Sequence, residues 1–574
     1  MNQPVMTLPR RPPPAGDRVR GGGDPRRPGR GRHGETLILF AVSAVVYLVM
    51  GGLLIHFNVV FTDAISRVAN AFYVLFSRDP HLPAMGFVWN PLPSFVVLPI
   101  LPLKVIFPGL VVYGAAGAIQ SALSMAGVVA VISVCLRKLG VSRLPRLVLV
   151  ALFAVQPMIL LYGGSGQSEP MMLLFLMLTA SALISWTQQQ HTGHLVAAGI
   201  ALGLAYLTRY ESGATAVAVT AFVGSMTVFK ATGTVGHRIR LAVNDVALVL
   251  GPFLFAFVFW AASAKLLVGE WFPTFGSKYG NSAQVADAAH WIQQATGTGF
   301  GQTLAYLSRQ TLALSPLFAA LLIAAVGLGV HRRDLTVVVA PVVFGSVMAF
   351  CGLILLVGSS FGWLRFQITV IPLTVLLAGS IVASLTAGPG RKTGVVPAAG
   401  GGGWVGRRRA LTATVAVVVA VVVAVPVQAW VLTQPTLNLA REEAPMLSGL
   451  VYPARPGSDP SRLQMFKTEH RVGAYLDRLD PGAGTVLADS AYAFPIITSS
   501  TKPRMFVISS DFDFQGAVDN PSGHAIKYVL VRSDARSDAV QVKWPQIYDT
   551  GAGIATLVQK WDGVVGQWRL YRFH

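Results

Sequence analysis

Runs of about 20 consecutive apolar residues recur along this chain, and they restrict its fold more than any other feature. Each run is long enough to cross the ~30 Å apolar layer of a bilayer as an α-helix. A spanning segment must satisfy its own backbone hydrogen bonds in lipid, so runs of this length are expected to be helical. Only 12% of the 574 residues are charged, against about 25% in soluble domains. The sequence therefore predicts a mainly α, polytopic transmembrane helix bundle.

The apolar runs predict about eleven spans. These are residues 36–57, 113–136, 147–161, 171–186, 195–207, 214–229, 241–264, 311–330, 335–357, 366–385 and 411–431. The first span follows a long tail and is predicted to be a retained signal anchor. Between the first two spans lies a long loop, 58–111, with an amphipathic helix predicted at 63–76 and a re-entrant or interfacial apolar segment at 95–107.

Basic residues orient these spans. Five segments hold 22 Lys and Arg residues, and with eleven spans they all fall on one side: 1–34, 137–146, 230–240, 331–334 and 391–409. By the positive-inside rule that side is cytoplasmic. We therefore predict a multi-pass protein of the cell (plasma) membrane with a cytoplasmic N-terminus.

Residues 1–34 form a separate segment, rich in Arg, Pro and Gly and without apolar periodicity. Such a segment cannot bury enough apolar surface to fold, so a disordered basic tail is predicted. Its expected partner is an anionic membrane surface, because a span follows immediately. Nucleic acid is the less favoured alternative, since no nucleic-acid-binding fold accompanies the Arg residues.

Residues 432–574 differ in composition from the rest, with 14 of the 25 acidic residues of the chain. Helical spacing at 469–479 and short β-rich runs at 485–489, 505–509, 528–532 and 568–573 predict a soluble α/β domain. With an odd number of spans it is extracytoplasmic, with a structural or acceptor-handling role. The expected organisation is a tail (1–34), a transmembrane domain (35–431) and this domain (432–574).

Acidic residues are rare in the region 35–431, which contains only nine. Six of them are predicted at or near the external face: Asp63, Asp79, Glu169, Glu211, Glu270 and Asp287. Carboxylates near a membrane are costly to keep and generally have a function. Their concentration on one side indicates a site there.

Asp63 and Glu169 are the candidate catalytic carboxylates. Asp63 lies one helical turn before Arg67, so the two form either an i,i+4 pair on an interfacial helix or a general base with an orienting or anion-binding cation. Glu169 opens the fourth span. It either complements the helix dipole or faces Asp63 as a second carboxylate.

Four further residues are candidates for substrate binding. Arg209 and Glu211 lie in the break between two apolar runs. They form either a structural ion pair or part of a substrate-binding site. Lys278 and Arg365 lie beside aromatic residues, which is typical either of interfacial anchoring or of a phosphate clamp. No His, Asp or Glu cluster has metal-ligand spacing, so the sequence supports no metal site and no cofactor. It does not exclude a bound divalent ion.

Several short motifs resemble those of the GT-C glycosyltransferases. They are Asp63 in the first external loop, NPLPS (90–94), SEP (168–170) and LRFQITVIPLTVLLA (364–378). Their order resembles the branch that uses polyprenyl-phosphate sugars, including the protein mannosyltransferase and aminoarabinose transferase families, over about residues 35–431. The chain departs from the pattern where Ala64 replaces a second acid after Asp63, and where NPLPS lacks a basic residue.

The resemblance implies a large external cavity between the first loop and the helix ends. Asp63 matches the catalytic acid of the family and Glu169 the acid of its second external loop. Lys278 matches a phosphate-binding cation in a long later loop of that branch, and Arg365 matches its late Arg. No second acid follows Asp63, so the match favours a lone base over half of a metal site.

The predicted function is transfer of a sugar from a polyprenyl-phosphate donor to a cell-envelope acceptor, which is a glycan, a glycolipid or a protein. Asp63 is the predicted base, and Lys278, Arg365 and Arg209 are predicted to stabilise the departing phosphate. Membrane lipids are the other expected partners, and nucleic acid is not. The main alternative is a transporter or flippase of a lipid-linked or small polar substrate, which would spread polar residues through the depth of the spans. A third possibility is a scaffold whose 432–574 domain binds partners.

Overall fold

The computed structural model describes residues 30–386, 404–533, 535, 537–564 and 566–574. Most of the predicted basic tail and of the basic segment 391–409 lies outside these residues. The first helix begins at Arg30, within the segment predicted as tail.

Helices make up nearly all of the first part of the chain. In order they are α1 Arg30–His56, α2 Thr62–Phe76, α3 Leu92–Val97, α4 Gly109–Val112, α5 Ala115–Lys138, α6 Arg143–Ala154, α7 Pro157–Gly164, α8 Glu169–Gln189, α9 Gly193–Thr208, α10 Ser212–Lys230, α11 Val235–Val268, α12 Pro273–Gly276, α13 Asn281–Thr296, α14 Phe300–Leu314, α15 Phe318–Arg332, α16 Ser346–Leu356, α17 Val370–Thr386, α18 Trp404–Val422 and α19 Ala424–Val431. The mainly α bundle is confirmed.

Proline residues explain two sharp bends among these helices. α6 and α7 meet at 62° and α14 and α15 at 79°. Gln156 lies between α6 and α7 and Ser315 between α14 and α15, with non-helical ψ angles of 133° and 88°. Each precedes a proline, whose ring disfavours the helical conformation of the residue before it.

Among the described residues, eight helices are long and apolar enough to cross a membrane, or ten if each bent pair is one span. α9 is a shorter apolar helix of 16 residues. Each of the eleven predicted spans corresponds to one of these helices, pairs or short helices. The number that crosses the bilayer stays a prediction.

The first loop folds on itself between α1 and α5. The amphipathic helix predicted at 63–76 is confirmed as α2. The predicted apolar segment 95–107 corresponds to a short apolar helical stretch, Leu92–Val105, made of α3 and a 3₁₀ helix over Leu98–Val105. It is shorter than the ~20 residues that a spanning helix needs.

The C-terminal region combines six short helices with one sheet. The helices are α20 Ala444–Val451, α21 Lys467–Leu479, α22 Ser490–Ser499, α23 Phe514–Asp519, α24 Ala539–Lys543 and α25 Ile547–Thr550, and the strands are β1 Val486–Ala488, β2 Phe506–Ile508, β3 Tyr528–Arg532, β4 Ala555–Trp561 and β5 Trp568–Phe573. The strand order is β2-β1-β3-β5-β4. β1 is parallel to β2 and β3, and β5 is antiparallel to β3 and β4.

The α/β character and four of the five strands were predicted. β4 was missed because it is an edge strand exposed over most of its length, so its sequence lacks the apolar run that marked the buried strands.

Two hydrophobic cores join the C-terminal region to the rest of the chain. Residues Leu432, Ala440 and Met446 pack into the core of the long helices. A second core combines α2, including Phe72, with residues of the sheet such as Val486. The first loop and the C-terminal region therefore form one packed unit above the ends of the long helices.

Candidate active site

Asp63 lies in the first turn of α2, where the positive end of the helix dipole favours a carboxylate. Its side chain is 34% exposed, and Oδ2 accepts a hydrogen bond from Arg365 Nη2 at 2.7 Å. These residues are 302 positions apart in the chain. Among the described residues, the ion pair of Asp63 is therefore with Arg365 and not with Arg67, as the i,i+4 interpretation proposed.

Arg67 instead turns toward an aromatic ring. Its guanidinium lies 4.5 Å from the ring centre of Trp89. The side chain is only 9% exposed, and its Nε and Nη1 have no hydrogen-bond partner among the described residues. Two buried guanidinium nitrogens without a hydrogen-bond partner are costly, and an anion would satisfy their N–H groups.

Arg365 connects three carboxyl groups. Besides Asp63, its Nε lies 3.3 Å from Glu442 Oε2 and 3.7 Å from Glu169 Oε1. Arg365 is 5% exposed. A charge buried this deeply is tolerated only when opposite charges surround it.

Arg209 extends the same network. Its Nη1 lies 2.6 Å from Glu169 Oε1 and its Nη2 lies 2.7 Å from Glu211 Oε1. The predicted Arg209–Glu211 pair therefore exists, and Glu169 joins it to Arg365. Five of the seven predicted site residues belong to one network of alternating guanidinium and carboxylate groups, in the order Asp63, Arg365, Glu169, Arg209 and Glu211.

Each member of this network lies at or beside a helix end. Glu169 is the first residue of α8, Arg209 separates α9 from α10, and Arg365 precedes α17. Glu169 is 1% exposed and contacts both guanidinium groups. Its Oε1 is the atom that contacts both Arg209 and Arg365.

The surroundings of Asp63 favour its ionised form. Burial alone would raise its pKa, but the positive charges of Arg365, Arg67 and Arg209 and the hydrogen bond from Arg365 hold the pKa below its ordinary value. Burial also lowers the pKa of Arg67, to about 10, and the nearby Arg209 contributes. At neutral pH Asp63 is therefore a carboxylate and Arg67 a cation.

The charged residues Arg441, Glu442, Glu443 and Arg462 of this region were not predicted from the sequence. Burial raises the pKa of Glu442 to about 8, with Glu443 and Asp63 contributing against the opposing effect of Arg365. Arg441 lies 4.6 Å from the ring centre of Trp291. The signal for the first three is a charged triplet, REE, which follows the last apolar run after nine intervening residues and lies in the segment predicted as the C-terminal domain.

A cavity of about 340 Å³, here called the guanidinium cavity, opens beside Asp63. Its charged lining consists of Asp63, Arg67, Arg209, Glu211, Arg365, Arg441, Glu442 and Arg462. The positive charges are guanidinium groups, which bind phosphate oxygens with two donors at a time.

A second cavity of about 730 Å³, here called the sheet cavity, lies between α2 and the C-terminal sheet. The two cavities share the lining residues Thr62, Asp63, Val88, Trp89 and Gln284. Lys278 lines the sheet cavity, where its Nζ lies 4.9 Å from the ring centre of Tyr279. Lys278 therefore lines a different cavity from Arg209 and Arg365, with which it was predicted to stabilise phosphate.

Three of the predicted external acids lie outside the network. Asp79 accepts a hydrogen bond from the backbone N–H of Phe512 at 3.4 Å, Asp287 lines the sheet cavity, and Glu270 is exposed. Within the described part of the chain, no group of three or more His, Cys, Asp or Glu side chains could hold a metal ion. The positive charge between the carboxylates of the network comes from Arg365 and Arg209.

Comparison with known proteins identifies the fold. No protein-family model matches the chain, and no curated protein matches it in sequence. Among solved structures, ArnT from Cupriavidus metallidurans bound to undecaprenyl phosphate matches with a TM-score of 0.51 and 13% identity, over 94% of this chain and 98% of that chain. ArnT in the apo state matches over the same shares with a TM-score of 0.50 and 13% identity.

The chain has the GT-C fold. The match extends over nearly the full length of both chains, so it includes the C-terminal region as well as the long helices. AglB from Archaeoglobus fulgidus also matches, at 11% identity over 88% of this chain and 70% of that chain, but with a TM-score of only 0.37. Within the GT-C fold, the guanidinium cavity and the sheet cavity lie between the helix ends and the C-terminal region.

Proposed function

We propose that this protein is a membrane glycosyltransferase that moves a sugar from a polyprenyl-phosphate donor to a cell-envelope acceptor. One observation supports the proposal most directly. Asp63 lies where a cavity lined by guanidinium groups meets a larger cavity. A donor phosphate in the first and an acceptor in the second would bring their reacting atoms together beside Asp63.

The guanidinium cavity suits a lipid phosphate. Arg67 and Arg441 both have N–H groups without a hydrogen-bond partner among the described residues, at Nε and Nη1 of Arg67 and at Nη1 of Arg441. Arg209 forms ion pairs with Glu169 and Glu211. Arg365 also has no hydrogen-bond partner at Nε and Nη1 among the described residues, but it forms ion pairs with Asp63 and Glu442. We therefore assign phosphate binding to Arg67 and Arg441, and a supporting role to Arg209, Glu211 and Glu169.

The proposed reaction is a single displacement at the anomeric carbon. Asp63 Oδ1, which takes no hydrogen bond from the described residues, accepts the proton of an acceptor hydroxyl. The acceptor oxygen bonds to the anomeric carbon as the bond from that carbon to the phosphate oxygen breaks. The phosphate keeps the electron pair, and Arg67 and Arg441 stabilise its negative charge. The anomeric configuration inverts.

In this reaction Asp63 accepts the proton, and Arg365 holds Asp63 in position. Arg365 holds the carboxylate through Oδ2 and keeps its pKa low. Asp63 is therefore ionised and oriented before the acceptor arrives. Lys278 lies in the sheet cavity and is assigned to the acceptor side of the reaction.

The location and the sugar complete the proposal. We propose that the N-terminus is cytoplasmic, that both cavities open on the outer face of the plasma membrane, and that the donor enters sideways from the bilayer. The transferred sugar is a hexose or a pentose.

A reconstituted assay tests this function. The purified protein in vesicles is given polyprenyl-phosphate sugars and cell-envelope acceptors, and product formation and anomeric configuration are measured. We expect a glycosylated product of inverted configuration. Movement of the lipid-linked substrate across the vesicle membrane without sugar transfer would contradict the proposal and favour a transporter.

Arg67→Gln tests the phosphate assignment in the same assay. Loss of a buried guanidinium that contacts phosphate is expected to raise the KM for the donor about tenfold or more, since hydrogen bonds to charged groups contribute ~1.5–3 kcal/mol each. Arg569→Gln is the matched control, because Arg569 contacts Tyr548 in the sheet region instead. Equal donor KM values for the two variants would remove Arg67 from phosphate binding.

A further inference from the structure

The sheet cavity lies at the carboxyl ends of three parallel strands. The segment after β1 contributes Ser490, the segment after β2 contributes Ser509 to Phe512, and β3 ends at Arg532, which also lines the cavity. The connection after β1 leads to β2 on one side of the β1–β3 pair, and the connection after β3 leads to β4 on the other side, so the direction changes between β1 and β3. Open α/β sheets bind ligands in the crevice at such a switch point. The C-terminal sheet is therefore placed to bind a ligand.

The opposite wall of the cavity is the polar face of α2. Asp63, Ser66, Asn70 and Tyr73 line it, at spacings that bring them onto one side of a helix. The other side of α2 is buried in the core that it shares with the sheet. One helix thus connects the reactive carboxylate to a row of hydrogen-bonding groups along the sheet cavity.

Buried polar atoms without partners are found on both the α2 side and the sheet side of this cavity. Tyr73 is 2% exposed and Asp511 is 5% exposed. The Tyr73 hydroxyl and Asp511 Oδ1 have no hydrogen-bond partner among the described residues, and neither does Ser510 Oγ. Because a buried polar group without a partner costs about 1–3 kcal/mol, a ligand that supplies partners would bind favourably.

Charge and aromatic surface narrow the class of ligand. The carboxylates that line the cavity are Asp63, Asp287, Glu469 and Asp511, and the Lys and Arg residues are Lys278 and Arg532. This excess of carboxylates disfavours an anionic ligand. Phe512 also lines the cavity; it is 74% exposed and stacks on His81 at 4.2 Å. An exposed ring beside hydrogen-bonding groups suits a sugar, which offers hydroxyl groups at its edge and C–H groups on its face.

We propose that the sheet cavity binds the hydroxyl-rich end of a neutral glycan, which is the acceptor of the transfer reaction. The inference rests on the proposed glycosyltransferase function and narrows the acceptor from glycan, glycolipid or protein to a glycan. Tyr73, Ser510 and Asp511 hydrogen-bond the sugar hydroxyls, and Phe512 stacks on a sugar ring. The cavity volume of about 730 Å³ lies within the ~300–1,000 Å³ of typical ligand pockets.

Binding measurements on the full-length protein in detergent test this inference. The probes are neutral tetrasaccharides of mannose, arabinose, glucose and galactose, a serine- and threonine-containing peptide, and glycerol phosphate. We expect at least one tetrasaccharide to bind by calorimetry, and the peptide and glycerol phosphate not to bind. Binding of only the peptide or only glycerol phosphate, or no tetrasaccharide binding, would overturn the inference.

Three variants locate the binding. Tyr73→Phe removes only the hydroxyl without a partner and is expected to weaken tetrasaccharide binding about three- to tenfold. Phe512→Ala removes the exposed ring and is expected to weaken binding about tenfold. Tyr475→Phe, outside both cavities, is the control and should bind as the wild type does. Wild-type affinity in both cavity variants would overturn the assignment.

Donor measurements separate this inference from the proposed function. Phe512→Ala is expected to bind polyprenyl phosphate as the wild type does, and Arg67→Gln to bind the tetrasaccharide unchanged. If the tetrasaccharide binds as predicted but no sugar is transferred, the glycan site stands and the glycosyltransferase function fails. If transfer occurs while the cavity variants retain wild-type acceptor KM, the function stands and the glycan site fails.

Discussion

Asp63 and Glu442 contact the same arginine, but their pKa values are shifted in opposite directions. Both contact Arg365, at 2.7 Å and 3.3 Å. Asp63 is near Arg67 as well, and its pKa is held low. Glu442 is buried beside other acids, and its pKa is raised to about 8. The first is ionised at neutral pH, whereas the second exchanges a proton near pH 8.

Donor binding is expected to weaken as the pH rises through about 8. Below that pH Glu442 is largely neutral, and above it Glu442 adds a negative charge to the guanidinium cavity. The KM for the donor phosphate should therefore increase between pH 7 and 9. A steady-state pH series measures this, with Glu442→Gln as the comparison.

In the Glu442→Gln variant the side chain stays neutral, so the donor KM should change little over this pH range. A rise of equal size in both proteins would show that another group titrates.

The proton of Glu442 also affects the stability of the folded protein. The ordinary pKa of a Glu side chain is 4.5, whereas the folded protein holds the Glu442 proton up to about pH 8. The contribution of Glu442 to the free energy of unfolding therefore decreases as the pH rises from about 4.5 to about 8.

At the scale of elements, close contacts between helices fix the position of the site. Gly164 ends α7, five residues before Glu169 opens α8. A Cβ at Gly164 would lie 2.6 Å from the backbone nitrogen of Gly51 in α1. Only glycine allows α7 to approach α1 this closely, and the turn that follows presents Glu169 to the arginine residues.

Gly164→Ala is expected to lower both stability and activity. The new methyl group meets backbone atoms, which cannot rotate away, so a loss of about 1–3 kcal/mol is expected. Thermal unfolding in detergent and the transfer rate measure the two effects. Gly251→Ala is the control, since a Cβ there has no atom within 4 Å. Equal unfolding temperatures for the two variants would show that the α1–α7 contact is not tight.

Most of the elements could be predicted from the sequence, but their assembly only in part. Apolar runs and amphipathic spacing predicted the long helices and α2, because these signals are local. The Asp63–Arg365 pair joins residues 302 positions apart, and the sequence suggested Arg67 as the partner of Asp63 because Arg67 is nearby. Glu442 was missed for the same reason. Its pairing depends on packing of the segment after α19 against the long helices.

At the scale of the whole molecule, the C-terminal region forms a wall of the site. Arg78, in the first loop, forms ion pairs with Asp511 at 3.2 Å and with Asp513. Asn58 Nδ2 donates to the backbone carbonyls of Leu463 and Met465, both at 3.0 Å. These contacts hold the sheet over α2 and so create the sheet cavity.

Arg78→Ala is expected to loosen this docking. Hydrogen exchange of the full-length protein should become faster in α2 and in residues 509–513, while the long helices stay protected. Lys543→Ala is the matched control, because its ion pair with Asp519 lies on the surface of the C-terminal region. Faster exchange in neither segment would show that the hydrophobic core alone holds the two parts together.

The most direct test of the whole account is the rate of sugar transfer in Asp63→Asn. Asparagine keeps the size of the side chain but cannot accept the acceptor proton, so the rate should fall about 10²–10⁴-fold. Asp245→Asn is the control, because Asp245 accepts a hydrogen bond from Thr227 outside both cavities, and its rate should equal that of the wild type. A wild-type rate in Asp63→Asn would contradict the central role given to Asp63.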